Sequence, residues 1–438
     1  MKKEYLKEEY FMSHGSIIGY DINSKICQIS YLDEETLEPE TLETGLENYQ
    51  IPLIMTYYKE VWTYGKNARR MASVRGSVQV TDIWENALKN EKLQIAGEEF
   101  EAVWLLAEFV RQTLQSFEKI ESITFTVPEM SEDIRYLMKG IGQKLGVDKE
   151  NIYVQDYKES FCHYMFNQPK ELWQYESALF YCDQDVIRAF MLRELKTGYR
   201  KGRDSFVTVD KVAEAQMEEL ESVYPVLNVD KAKAADEHFK SFIQSVFDKK
   251  VVSSVFLTGD GFENNWYPNS LRVLCNGRRA FMGNNLYSKG ACYTAMQRSE
   301  EPLDGPVYLD ETKMTEQICL KLRSRGEEGW YPLVAWGSHW YESDRQCEVL
   351  LEDNQDIEIH IESLVTGKLR VETVSLEGLP ERKNYALRLR IRTMFSDERT
   401  CHITFEDVGF GEFFPPSGFV TEKVIELGGS NGQFNSLS

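Results

Sequence analysis

Ser16–Tyr31 (SIIGYDINSKICQISY) reads as two short strands, Ile17–Ile22 and Lys25–Tyr31, joined by Asn23-Ser24 across a tight turn. Asn and Ser suit such a turn because their short side chains bond the local backbone. Ala178–Asp183 and Val186–Leu192 repeat the device, turning at Asp183-Gln184-Asp185. A chain that plays one hairpin twice and follows each with alternating strands and helices is confined to two related α/β halves.

Composition then bounds what else the chain can be. Its 438 residues exceed one ordinary core and predict two or three domains, which 42% apolar and 12% aromatic residues can fill. Net charge is −21, from 71 acidic and 50 basic residues. That mean field repels phosphate and argues against nucleic acid or an anionic membrane as partner. No apolar run approaches the roughly 18 residues of a membrane helix. MKKEYLKEEYF at the N-terminus lacks the apolar core of a signal peptide, so a cytoplasmic protein is expected. The eight cysteines show no C-x-x-C and read as structural thiols.

In chain order, Ile51–Tyr64 reads as two strands turning at Lys59-Glu60. Phe100, Val103, Ala107, Val110, Leu114 and Phe117 make a helical stripe. Ile123–Val127 is a strand stopped by Pro128. Ser131 caps a helix that Gly146 closes. Ile152–Val154 leads to Asp156 and a helix through Tyr157–Asn167. Residues 196–250 read as an inserted helical subdomain, Val251–Leu257 as a buried strand, and Ser288–Met296 as a final helix. From about Leu309 the pattern turns to alternation, as in Ile357, Ile359 and Ile361, which predicts a β-sandwich. The domains expected are 1–302 (lobes about 14–175 and 176–302), a linker at 303–310, a β domain at 311–427, and a disordered tail at 428–438.

This order of segments resembles the DnaK-type, seventy-kilodalton heat-shock chaperone family of the actin-like ATPase superfamily, over residues 14–427. Gly19–Ser24 is similar to its first phosphate hairpin. Ile51–Met55 with Tyr64–Ala68, Thr126-Val127-Pro128 with Asp156–Tyr164, Leu257–Gly261 and Gly290–Cys292 look like successive motifs of its ATPase domain. Val307–Asp310 stands at its linker, and Leu376–Pro380 looks like a turn of its substrate domain. The resemblance implies an actin-like (ribonuclease H-like, duplicated) α/β domain followed by an all-β sandwich, in a divergent member without the helical lid.

The resemblance also implies a site. Asp21, Asp156 and Asp183 take the catalytic positions. Asn23, Ser24, Lys25, Gly259, Asp260 and Gly261 take the nucleotide-binding ones, with ATP or ADP and Mg²⁺ as the cofactors, and Asp21, Asp183 and Asp185 as a possible Mg²⁺ set. Each has an ordinary alternative. Lys25 also suits a solvated turn, Asp156 a helix cap, Asp183 and Asp185 turn chemistry, and Gly259–Gly261 a strand-to-helix turn. The second hairpin lacks the glycines that let backbone approach phosphates, and no catalytic Lys aligns. A degenerate ATPase lobe carrying a protein- or peptide-binding module is therefore expected, with a slow Mg-ATPase using atypical phosphate contacts as the alternative.

Outside that cleft, Cys162-His163 point to different helix faces, and His360 and His402 are expected in solvent. Trp330, Trp336, Trp340 and Tyr341 bunch in the β domain and are expected inside the sandwich, with the lining of a binding groove as the alternative. Arg388, Arg390 and Arg392 form a ladder that meets either a neighbouring strand's Glu or an acidic peptide. The groove residues for a peptide are not legible.

Overall fold

The computed structural model describes residues 15–44, 49–195, 205–222, 228–262, 266–298, 306–324, 326–351, 356–364, 366–380, 382 and 387–428. Contacts divide the chain into two compact units, Met1–Arg193 with Val209–Leu303, and Glu194–Thr208 with Asp304–Ser438. Residues 429–438 of the expected tail and 303–305 of the expected linker lie outside the described residues.

In the first unit, β1 (Ser16–Ile22) and β2 (Ile26–Leu32) form the opening hairpin. With β3 (Pro39–Thr41), β10 (Ile120–Val127) and β11 (Ile152–Asp156) they make a sheet of order β11-β10-β1-β2-β3, and β4 (Ile51–Pro52) also pairs with β2. β1 is parallel to β10 and antiparallel to β2. Six of its seven residues are buried, because both faces are covered.

One face, with Ile18, Tyr20 and Ile22, joins a core with α3 (Ala102–Thr113) and α4 (Glu132–Lys144). Ser131 caps α4 by accepting the Ile134 N–H at 3.2 Å. Smaller elements fill in between. They are β5 (Met55–Tyr58), β6 (Val61–Tyr64), α1 (Gly65–Met71), β7 (Val78–Val80) and α2 (Ile83–Leu88), then the hairpin β8 (Lys92–Ile95) and β9 (Glu98–Glu101). Phe100, expected to open the helical stripe, lies in β9 instead. The left-handed turn at Ala96-Gly97 pins it across from Leu93.

The second half repeats the plan. After α5 (Tyr157–Phe166) come β12 (Glu176–Asp183) and β13 (Val186–Glu194), an antiparallel hairpin with Gln184 at φ +56°. With β14 (Phe206–Gln216), β15 (Val252–Thr258) and β16 (Arg279–Met282) the order is β16-β15-β12-β13-β14, which matches the first sheet strand for strand. The 196–250 stretch is therefore only partly helical. Its FVTV start is β-branched and buried and adds a strand, and α6 (Val229–Val246) supplies the helix. Residues 196–204 and 223–227 of that stretch lie outside the described residues. α7 (Pro268–Leu274) packs on α6.

α8 (Leu286–Arg298) lies against β1 and α5. Two glycines set that closeness. A Cβ on Gly19 would stand 2.1 Å from the Ser288 carbonyl oxygen, and one on Gly290 only 1.9 Å from that of Ser160.

In the second unit, Phe206 and Val207 of β14 pair in parallel with β17 (Val307–Tyr308). Two antiparallel sheets follow. β18 (Glu316–Ser324), β19 (Glu327–Val334), β21 (Ile357–Ser363) and β22 (Leu369–Val374) run in the order β19-β18-β21-β22. β20 (Arg345–Leu351), β23 (Leu387–Phe395), β24 (Thr400–Asp407) and β25 (Val420–Glu426) run in chain order. Ile318 and Ile359 of one sheet and Ile391 and Phe405 of the other share one core.

The arginine ladder meets its neighbours: Arg390 bonds Glu348 at 3.0 Å and reaches Glu406 at 3.5 Å. His402 bonds Glu422 rather than standing free in solvent. Trp330, expected inside, is 54% exposed on the edge strand β19, its ring 4.2 Å from that of His360.

Candidate functional site

The tips of the two hairpins face each other across a cleft of about 330 Å³ within the first unit. Asp21, Asn23, Ser24, Lys25, Asp183, Gly259 and Asp260, named from the sequence, line it. Asp156, Asp185 and Gly261 are not among its lining residues.

Asp21 closes β1 and is 3% exposed. The Tyr157 hydroxyl donates to its Oδ1 at 2.8 Å. Burial pushes its carboxyl up to about 7, with the Tyr157 bond opposing and the Asp260 charge adding to the rise. Asn23 Oδ1 accepts the backbone N–H groups of Lys25 and Ile26 at 2.8 and 3.0 Å, which occupies two of the turn's donors internally. Lys25 Nζ reaches Asp183 Oδ1 at 3.0 Å and links one hairpin tip to the other. Asp185 is taken by the Gln216 amide.

Three tyrosines that the sequence reading missed form the wall. Tyr157 and Tyr287 stack with centroids 3.7 Å apart and planes 7° apart, and Tyr181 stands 5.9 and 6.3 Å from them. They come from α5, β12 and α8, so no local spacing unites them. Burial pushes the Tyr157 and Tyr287 hydroxyls well above their ordinary range.

The remaining residues have roles in the fold itself. Asp156 caps α5, accepting the Glu159 N–H at 2.9 Å. Gly259 has φ +98°, and a Cβ there would stand 2.2 Å from the Cys182 carbonyl oxygen. One on Gly261 would stand 2.0 Å from Cys182 Sγ. The Gly-Asp-Gly turn is thus required by its packing on the second hairpin. Asp260 accepts from the Gln50 amide at 3.2 Å. Among the described residues no three of His, Cys, Asp or Glu converge to hold a metal, so Asp21, Asp183 and Asp185 form no such group.

Comparison with known families corrects the chaperone resemblance. A model described as "Family of unknown function (DUF5716) C-terminal" matches residues 38–311, and one described as "Domain of unknown function (DUF8552)" matches residues 313–427. Neither is a heat-shock or actin-like ATPase family, and together they span nearly all of the stretch that carried the resemblance. No curated protein matches the chain. The short motifs misled for a physical reason: Gly19, Gly259 and Gly261 are there for close packing, Asn23 for a turn and Asp156 for a cap. With more than half of its length matched by the first model, the chain belongs to the DUF5716 C-terminal family.

Proposed function

We propose that this chain is a binding scaffold that does not hydrolyse nucleotide. It is built on an α/β framework of actin-like, duplicated ribonuclease H-like topology joined to an all-β sandwich. The matching strand orders of the two sheets support that framework. The observation that carries the functional reading is the Lys25–Asp183 ion pair between the hairpin tips. Phosphate transfer needs free backbone donors at such tips. Here Asn23 takes the Lys25 and Ile26 N–H groups of one turn, and Asp183 and Asp185 put carboxylates at the other.

The β unit supplies the surface for a protein or peptide client, with Trp330 and Tyr331 exposed on its edge strand β19. An edge strand and exposed aromatics together suit an extended peptide. No helix among the described residues is long and apolar enough to cross a membrane.

Calorimetric titration of the full chain with ATP and with ADP, each with and without Mg²⁺, tests the reading. No heat, and no thermal shift at millimolar nucleotide, is expected. Micromolar binding that depends on Mg²⁺ would overturn it in favour of an ATPase with atypical phosphate contacts.

A further inference from the structure

Four rings from β5, β6, β9 and α3 run in a row on the first unit, and none of them lines the cleft. Tyr57 meets Trp62 at 4.9 Å, Trp62 meets Phe100 at 5.3 Å, and Phe100 meets Trp104 at 5.8 Å with planes 30° apart. The row starts in the core, where Tyr57 is 7% exposed, and ends in solvent, where Trp104 is 40% exposed. Val61, beside Trp62 on the edge strand β6, is 58% exposed. Large rings left partly in water are the side chains that anchor protein interfaces. A second observation is the charge at the Tyr57 end. The Tyr57 hydroxyl donates to Glu98 at 3.4 Å, and burial, then the charges of Glu98 and Glu60, pushes that hydroxyl up. Neither carboxylate has an ion-pair partner among the described residues. The bases nearby are spent elsewhere, Lys92 on Glu99 at 2.8 Å and Arg111 on Glu108. Lys59 lies over the ring of Tyr58, which faces away from Tyr57 along β5. An apolar row that ends on two unpaired carboxylates is complementary to an apolar segment that carries a base.

We propose that this row is a docking surface for a basic, apolar segment of a protein partner. Its apolar side chains rest on Val61, Trp62 and Trp104, and an arginine sits between the rings and the carboxylates of Glu60 and Glu98. The surface belongs to the α/β unit and is additional to the client surface of the β unit. An arginine suits it because a planar guanidinium stacks on a ring while its N–H groups pair a carboxylate. Nucleic acid and an anionic membrane present the wrong charge to Glu60 and Glu98.

Three dye-labelled peptides test the inference by fluorescence anisotropy with the full chain. They are Gly-Leu-Arg-Phe-Leu-Gly, its counterpart with Glu in place of Arg, and one with Ser in place of Leu and Phe. The first is expected to bind at least about 10-fold more tightly than either of the others. Trp104→Ala is expected to weaken it about 10-fold. The double variant Glu60→Gln, Glu98→Gln is expected to weaken it about threefold and to flatten its salt dependence. Both glutamates are exposed, so the double variant carries the test should Trp104→Ala fail to give a native melting curve. Trp330→Ala is expected to change nothing. Equal affinity for the three peptides, no binding of any, or binding that survives both the Trp104 and the glutamate variants would overturn the inference. Binding lost in Trp330→Ala alone would do so too, and would leave the scaffold reading standing on the β unit. A dimer in sedimentation that Trp104→Ala dissociates would assign the face to a second copy and overturn the inference as well.

Discussion

Asp21 shows at the residue scale how burial turns an ordinary acid into a sensor. Its carboxyl, raised to about 7, holds a proton in the folded chain that the unfolded chain releases near the ordinary 3.8. The folded state therefore binds more protons between those values, and stability falls as pH rises through that window and levels off above it. Asp21→Asn keeps an acceptor for Tyr157 and removes the titration. The variant is expected to melt higher than the wild type at pH 8 and to lose the decline between about pH 4 and 7. Melting curves across that range check this; an unchanged slope in the variant would mean that another group carries the dependence. The sequence placed Asp21 at the lip of a hairpin, but its burial depends on α5 and α8 closing over it. By contrast the Lys25–Asp183 pair is about half exposed on both sides and adds little stability of its own.

Among elements, α8 is the one on which the first unit closes. It touches β1 at Gly19 and α5 at Gly290, where no side chain fits. Gly290→Ala would push a methyl group into the Ser160 carbonyl, which cannot retreat without moving α5. A loss of about 3 kcal/mol is expected, read as a lower denaturant midpoint with an unchanged slope. A shift below about 0.5 kcal/mol would show that the crossing yields easily. Hairpins, caps and most strands were legible because they are written in adjacent residues: Ser131 and Asp156 cap the helices that follow them. β14 was not legible, because its charged second half hides a strand that exists only by joining β13. Trp330 was misplaced for a related reason. An aromatic at strand period reads as core, and only the pairing order puts it on an edge.

For the whole molecule, the division into units does not follow chain order. Glu194–Thr208 belongs with the β-rich unit although the chain enters it from the α/β unit. Phe206 is the anchor of that segment, packed with Leu309, Leu364 and Trp336. Phe206→Ala is expected to destabilise the β-rich unit by about 3–5 kcal/mol, the cost of emptying a large buried site. In calorimetry this appears as one transition moving down; a scan that keeps both transitions in place would contradict the assignment of this segment. The two family models meet between residues 311 and 313, close to where the second unit takes up the rest of the chain.

What the sequence determined by itself is local: two hairpins, their turns, the helix caps, and the change from helical period to alternation near Leu309. These follow from backbone chemistry and from periods of 3.6 and 2, which neighbouring residues carry. What only the tertiary structure decided is the site. Three tyrosines from three elements wall the cleft, Lys25 spends its charge on Asp183, and Gly259 and Gly261 answer to Cys182. Burial and pairing are properties of contacts between distant residues, so no single segment could have announced them.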